Sequence, residues 1–190
     1  LLRLLIALSC LLAAQPALAV RPFITDDARV VGGGLAQMES WIRVDRHALQ
    51  QWALVALGPT DRLELTVGAV HGFTREPQRN YSVAGPLLQA KYLVRRTRAN
   101  SWPGFAVSGG TTAPSGSGVF KAHGWDQFAY AAVTESLRDD NILIHGNTGF
   151  VRNPEGRVNP TWGVGSQIKV RGGLHAVGEV FSGDPYAETS

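Results

Sequence analysis

Between Leu63 and Phe73 the chain reads LELTVGAVHGF, and Leu63, Leu65, Val67, Ala69, His71 and Phe73 make one mostly oily row. Glu64, Thr66 and Gly68 fill the positions between them, with Arg62 just before. A period of two is the mark of a β-strand with unlike faces. The rhythm recurs elsewhere. Leu88, Ala90, Tyr92 and Val94 alternate with Gln89, Lys91, Leu93 and Arg95. Trp162, Val164, Ser166, Ile168 and Val170 alternate with Gly163, Gly165, Gln167, Lys169 and Arg171. Met38, Ser40, Ile42 and Val44 alternate with Gln37, Glu39, Trp41, Arg43 and Asp45. In 125–137 the faces stay unassigned, because Ala129, Ala131 and Val133 oppose Phe128, Tyr130 and Ala132.

The pattern predicts nine strands, over 35–46, 51–57, 62–73, 85–96, 103–113, 125–137, 141–151, 161–171 and 174–182, and no helix. Nearly all exceed the five or six residues usual in globular proteins, and most fit the roughly 9–11 that a tilted strand needs to cross a bilayer. GPTD, TRANS, RDD and GG read as tight turns, whereas TREPQRNYSVA, APSGSGVFKAHG and RNPEGRVNP are longer and polar. HALQ, between the first two strands, is the exception to this alternation. Short turns on one side and long loops on the other are expected of an up-and-down outer-membrane β-barrel. Its oily face meets lipid and its charges line the lumen. Trp52, Phe73, Trp125 and Trp162 fall at the long-loop ends of strands and Trp102 at the opposite end, as in aromatic girdles.

The start of the chain adds a compartment. LLRLLIALSCLLAAQPALA has a positive residue, a short apolar run broken by Gln15 and Pro16, and the small-x-small pattern Ala17-Leu18-Ala19. That is a Sec signal peptide over 1–19, leaving 20–34 as a periplasmic N-terminal segment and 35–190 as the barrel domain. The bacterial outer membrane is the expected location. Cys10, the one cysteine, lies inside the signal, so neither disulfide nor thiolate chemistry is expected of the mature chain. A net charge of +3 on 190 residues, with no basic cluster on one face, argues against nucleic acid as a partner. The ninth strand ends on a polar loop, and bacterial single-chain barrels use even strand numbers. With Leu rather than Met at position 1, this leads us to expect an incomplete, C-terminally truncated barrel.

RPFITDD after the signal, the Gly-rich break and a first strand carrying Glu39 resemble the opening of the bacterial MetA-pathway phenol-degradation family. GPTDRLELTVGA and GPLLQAKYLVR resemble its later blocks, so the likeness covers the mature chain to residue 96. The resemblance implies an outer-membrane β-barrel and a channel for small, aromatic or hydrophobic compounds. It marks Arg21, Pro22, Thr25, Asp26 and Asp27 as a motif. Three readings of the motif's charges stand: a tether or plug, an aspartate pair holding a cation, though two carboxylates fall short of the six or more oxygens calcium prefers, and a solvated strap.

Glu39, Arg43, Arg62, Glu64, Lys91, Arg95, Gln167, Lys169 and Glu179 are the candidate lumen-lining residues. They form either a selectivity constriction or a network that fills a narrow barrel. Expected partners are membrane lipid, the barrel-assembly machinery and an unidentified small solute, with no cofactor or metal. Two other classes compete. One is a barrel hydrolase acting on lipid through His145 or His175, against which no G-x-S-x-G motif is found. The other is an exported soluble β-sandwich or lipocalin-like binder.

Overall fold

The computed structural model describes residues 24–75 and 80–182; the expected signal peptide, Arg21 and Pro22 lie outside them. The strands are β1 (Ala36–Val44), β2 (Ala48–Thr60), β3 (Leu63–Thr74), β4 (Tyr81–Arg95) and β5 (Gly104–Thr112), then β6 (Gly116–Ser117), β7 (Asp126–Leu137), β8 (Ile142–Arg152), β9 (Val158–Arg171) and β10 (Leu174–Ser182). Nine of them form one antiparallel meander in the order β1-β2-β3-β4-β5-β7-β8-β9-β10, curled into a half-barrel. The two-residue β6 pairs with β4 at Val83 and Ala84, beyond the last β5 pair at Leu87. β1 and β10 are the two edges and do not pair with each other. This is the predicted all-β, up-and-down class, built as one sheet.

Strand ends move where a turn is tighter than its composition suggests. The HALQ break shrinks to residues 45–47, because the Asp45 carboxylate accepts the N–H groups of His47 and Ala48, each at 2.7 Å. The His47 N–H, with the Ala48 N–H adding to it against a slight desolvation, holds that exposed carboxyl below its ordinary range. β2 is therefore a full strand rather than the short one read over 51–57. β4 begins at Tyr81 instead of 85, and a bulge opposite Ala69 absorbs the surplus, the register passing from Gly68↔Leu87 to Val70↔Ala84. Gly85, in that bulge, has φ of 131°, a conformation open to glycine.

One end of the sheet carries the tight turns at 61–62, 138–141 and 172–173, together with the 96–103 connection. The other carries 75–80, 113–125 and 153–157, so loops and turns segregate much as predicted, the 45–47 turn excepted. In the 138–141 turn, Arg138, Asp139 and Asp140 all have positive φ (51°, 55° and 63°). Asn100 from the 96–103 connection accepts the Arg138 N–H at 3.2 Å and donates to Asp139 Oδ1 at 3.1 Å.

The faces are inverted relative to a globular protein. Leu65, Val67, Leu88, Val107, Val133 and Ile168, on the convex side, are 40–46 % exposed. Glu64, Gln89, Lys91, Thr134 and His145, on the concave side, are buried. Outward aromatics sit toward strand ends: Phe73, Tyr81, Trp125, Phe150 and Trp162 at the loop end, Tyr92 and Trp102 at the turn end. Trp52 corrects the girdle reading. It points inward, 6 % exposed, and stacks on Trp41 with ring centroids 5.9 Å apart.

β7, ambiguous in sequence, turns its aromatics inward. Phe128 joins Trp52, Leu54, Val70, Ala84 and Leu87 in an apolar cluster, while Ala129, Ala131 and Val133 face outward. Two glycines make room for this. A Cβ on Gly110 would fall 2.3 Å from Phe128 Cζ, and one on Gly149 would fall 2.5 Å from Tyr130 Cβ. Phe128 and Tyr130 thus pack closely against the neighbouring strands, and truncating Phe128 is costly. Phe128→Ala should lower unfolding stability by about 3–5 kcal/mol. Val133→Ala, on the outer face of the same strand, should cost well under half of that, both read from denaturant midpoints.

Candidate functional site

Residues 24–31 run across the concave face as a strap, touching strands from β10 to β3. At its start the N–H groups of Ile24 and Thr25 donate to the two carboxylate oxygens of Glu179, at 2.9 and 3.0 Å. A Cβ on Gly163 of β9 would fall 2.4 Å from Thr25 Oγ1, so the strap lies directly on that strand. The Ala28 N–H donates to the Thr134 hydroxyl at 2.8 Å, and Thr134 Oγ1 lies 3.0 Å from His145 Nδ1. The Val31 N–H donates to Glu64 Oε2 at 2.9 Å. Where the strap leaves the interior, the Gly34 N–H donates to Gly58 O and the Gly58 N–H to Leu35 O. A Cβ on Gly58 would meet Gly32 O at 2.2 Å, so β2 also approaches through a glycine.

The centre of the strap is charged. Asp26 accepts from Lys91 Nζ at 3.0 Å and from the Tyr130 hydroxyl at 2.5 Å, and Tyr130 Oη accepts from Gln89 Nε2 at 3.1 Å. Asp27 Oδ1 lies 3.6 Å from Lys91 Nζ, and its other oxygen pairs with the Arg29 guanidinium at 2.8 Å. Asp26, Asp27 and Lys91 are each no more than 4 % exposed. Buried charges demand such pairing, since an ion left alone in a dry interior costs several kcal/mol. The solvated reading of Asp26 and Asp27 is therefore wrong, and both are tied to the inner face of the sheet.

Of the nine expected lumen residues, the strap gathers Glu64, Lys91 and Glu179, each from a different strand. Glu39 lies on the inner side of β1, half-buried, and accepts from Gln37 Nε2 at 2.6 Å. Arg43 shares that face and is exposed, and Gln167 and Lys169 lie on the inner face of β9. Two placements need correction. Arg62 stands exposed in the 61–62 turn, beyond the ladder. Arg95, at the end of β4, leaves the interior because the register slips after Leu93, and its guanidinium lies 5.7 Å from the Trp102 ring centroid. Three of the nine, Glu64, Lys91 and Glu179, thus act on the strap.

Sequence reasoning missed Tyr130, Thr134 and Gln89. The first two sit on β7, whose parity was unreadable. His145, considered as a catalytic base, is an inward residue 2 % exposed, joined to the strap through Thr134. Thr134 thus joins His145 to the Ala28 N–H through one hydroxyl. Thr25 Oγ1 and the Asn147 amide converge on a cavity of about 20 Å³ beside the strap, enough for about one water molecule. Among the described residues, no group of His, Asp and Glu is disposed to hold a metal ion.

Lys91 is the cation common to both aspartates, so its removal should release the strap. Lys91→Met should destabilise the protein by about 3–5 kcal/mol and open the chain to trypsin after Arg29. Adding Asp26→Asn and Asp27→Asn should restore most of the stability, as seen in paired denaturation and proteolysis curves.

No protein-family profile, curated protein or solved structure matches the chain, so the family resemblance rests on the residues quoted for it.

Proposed function

We propose that the chain is a bacterial outer-membrane β-barrel protein that admits small molecules to its lumen, of the family its opening motif resembles. The inverted sheet carries this reading. A convex face of Leu, Val, Ile and Ala bounded by aromatics suits hydrocarbon flanked by two interfaces. In water the same face would be an apolar patch far beyond the few hundred Å² a soluble monomer exposes. The amino-terminal run 1–19 supplies export, and lipid and the barrel-assembly machinery are the implied partners.

The strap shapes what such a lumen transmits. RPFITDD, the segment that carries the resemblance, contributes Thr25, Asp26 and Asp27 to the interior. We read it as an internal plug that narrows passage, with the exposed inner-wall Lys169 acting on ions that pass beside it. His145 serves in this reading as a strap anchor rather than a general base.

Reconstitution tests the proposal. The full chain should require detergent, migrate heat-modifiably on gels and conduct in planar bilayers. Lys169→Glu should shift ion selectivity toward cations without changing gel migration. Val67→Arg should weaken membrane folding by about 2–4 kcal/mol. A chain that stays monomeric without detergent, or a Val67→Arg variant that inserts like the parent, overturns the membrane assignment.

A further inference from the structure

At the loop end the interior holds a cavity that the strap does not line, about 280 Å³ in volume. That is the share of roughly nine water molecules at about 30 Å³ each. Trp52, Val70, Ala84 and Leu87 form its apolar floor, each no more than 7 % exposed. Its roof is the connection between β5 and β7, which folds inward instead of leaving the sheet. β6 continues the ladder on β4, the Val119 N–H donates to Ser82 Oγ at 3.1 Å, and Phe120 packs onto the apolar cluster. Trp41 stacks on Trp52, whose Nε1–H donates to Gln50 Oε1 at 3.4 Å, so the indole is held from two directions. A wall fixed before a ligand arrives lowers the cost of binding.

The charged lining is unequal in sign. Asp126 and Glu155 bring two carboxylates against the ammonium of Lys121, with His123 as the remaining ionisable group. We propose that this cavity is a binding site for a small amphiphile with an apolar body and an uncharged or cationic head. The floor takes the body, as concave sites lined by apolar groups do. The carboxylate excess disfavours an anionic head, whose charge meets like charge at the cavity's rim. The site stands on the cavity and not on conduction.

Fluorine NMR of the full chain labelled with fluorotryptophan, in detergent, reads Trp52 directly, its resonance assigned through Trp52→Phe. Titration with cyclohexylmethylamine and with cyclohexylmethanol should shift the Trp52 signal saturably. Cyclohexanecarboxylate should bind about tenfold more weakly or not at all. Ala84→Leu, which fills the floor, and Ala122→Leu, which fills the roof, should each abolish saturation while heat-modifiable migration persists. Partition of a probe into the micelle is separated internally, because it moves the outward Trp102 and Trp162 signals instead. A Trp52 signal that does not saturate, equal affinity for the carboxylate, or binding that survives both filling variants overturns the site. Conductance without a Trp52 response would sink the site and leave transport standing; a Trp52 response without conductance would do the reverse.

Discussion

A pleated strand offers two faces and no third, and everything in this protein follows from how charge is distributed between them. Successive side chains point to opposite sides, so a single misplaced residue cannot be rotated away as on a helix. Glu64 on β3, Lys91 on β4 and His145 on β8 share the parity that became the inside, while His71 of β3 falls on the outer row near the loop end. Burying charge on the concave side calls for partners beyond the cross-strand neighbours Glu64 and Lys91. The strap supplies them, bringing Asp26 and Asp27 to Lys91 and presenting backbone N–H groups to Glu64 and Glu179.

This parity is why the fold was largely legible. Nine strands, their order and most face assignments came from period-two alternation, which depends on neighbours two residues apart and on nothing distant. β7 defeated the rule because its interior side carries Phe128 and Tyr130 and its exterior side carries small alanines. An aromatic beside a polar partner inside looks in sequence like an aromatic facing lipid. Trp52 misled for the same reason, since proximity to a strand end says nothing about which face a ring occupies. The strap's position was illegible on other grounds. Its hydrogen bonds to Glu179 and Thr134 span more than a hundred residues, and no local pattern encodes such contacts.

The interior divides by chemistry along its length. Toward the turn end it is hydrogen-bonded and ionic, centred on Lys91, Tyr130 and Thr134; toward the loop end it is apolar, centred on Trp52, Leu87 and Phe128. Replacing a buried ion pair by apolar groups is often neutral or stabilising, so pairing alone does not account for charge here. What the charges add is an address. A segment carrying two adjacent aspartates has one well-matched position along the wall, whereas an apolar segment would slide.

The left-handed run at Arg138, Asp139 and Asp140 bears on the order in which the sheet assembles. Each such residue without a glycine's freedom costs about 1–2 kcal/mol, so the hairpin of β7 and β8 is a poor candidate to close on its own. Its turn is held from outside, by Asn100 in the connection between β4 and β5, and the Asn100 N–H in turn donates to Ser136 O at 3.0 Å. The earlier connection therefore serves as a mould for the later one. Assembly that proceeds from the amino-terminal strands presents the mould first, and the costliest turn of the sheet forms against a surface already in place.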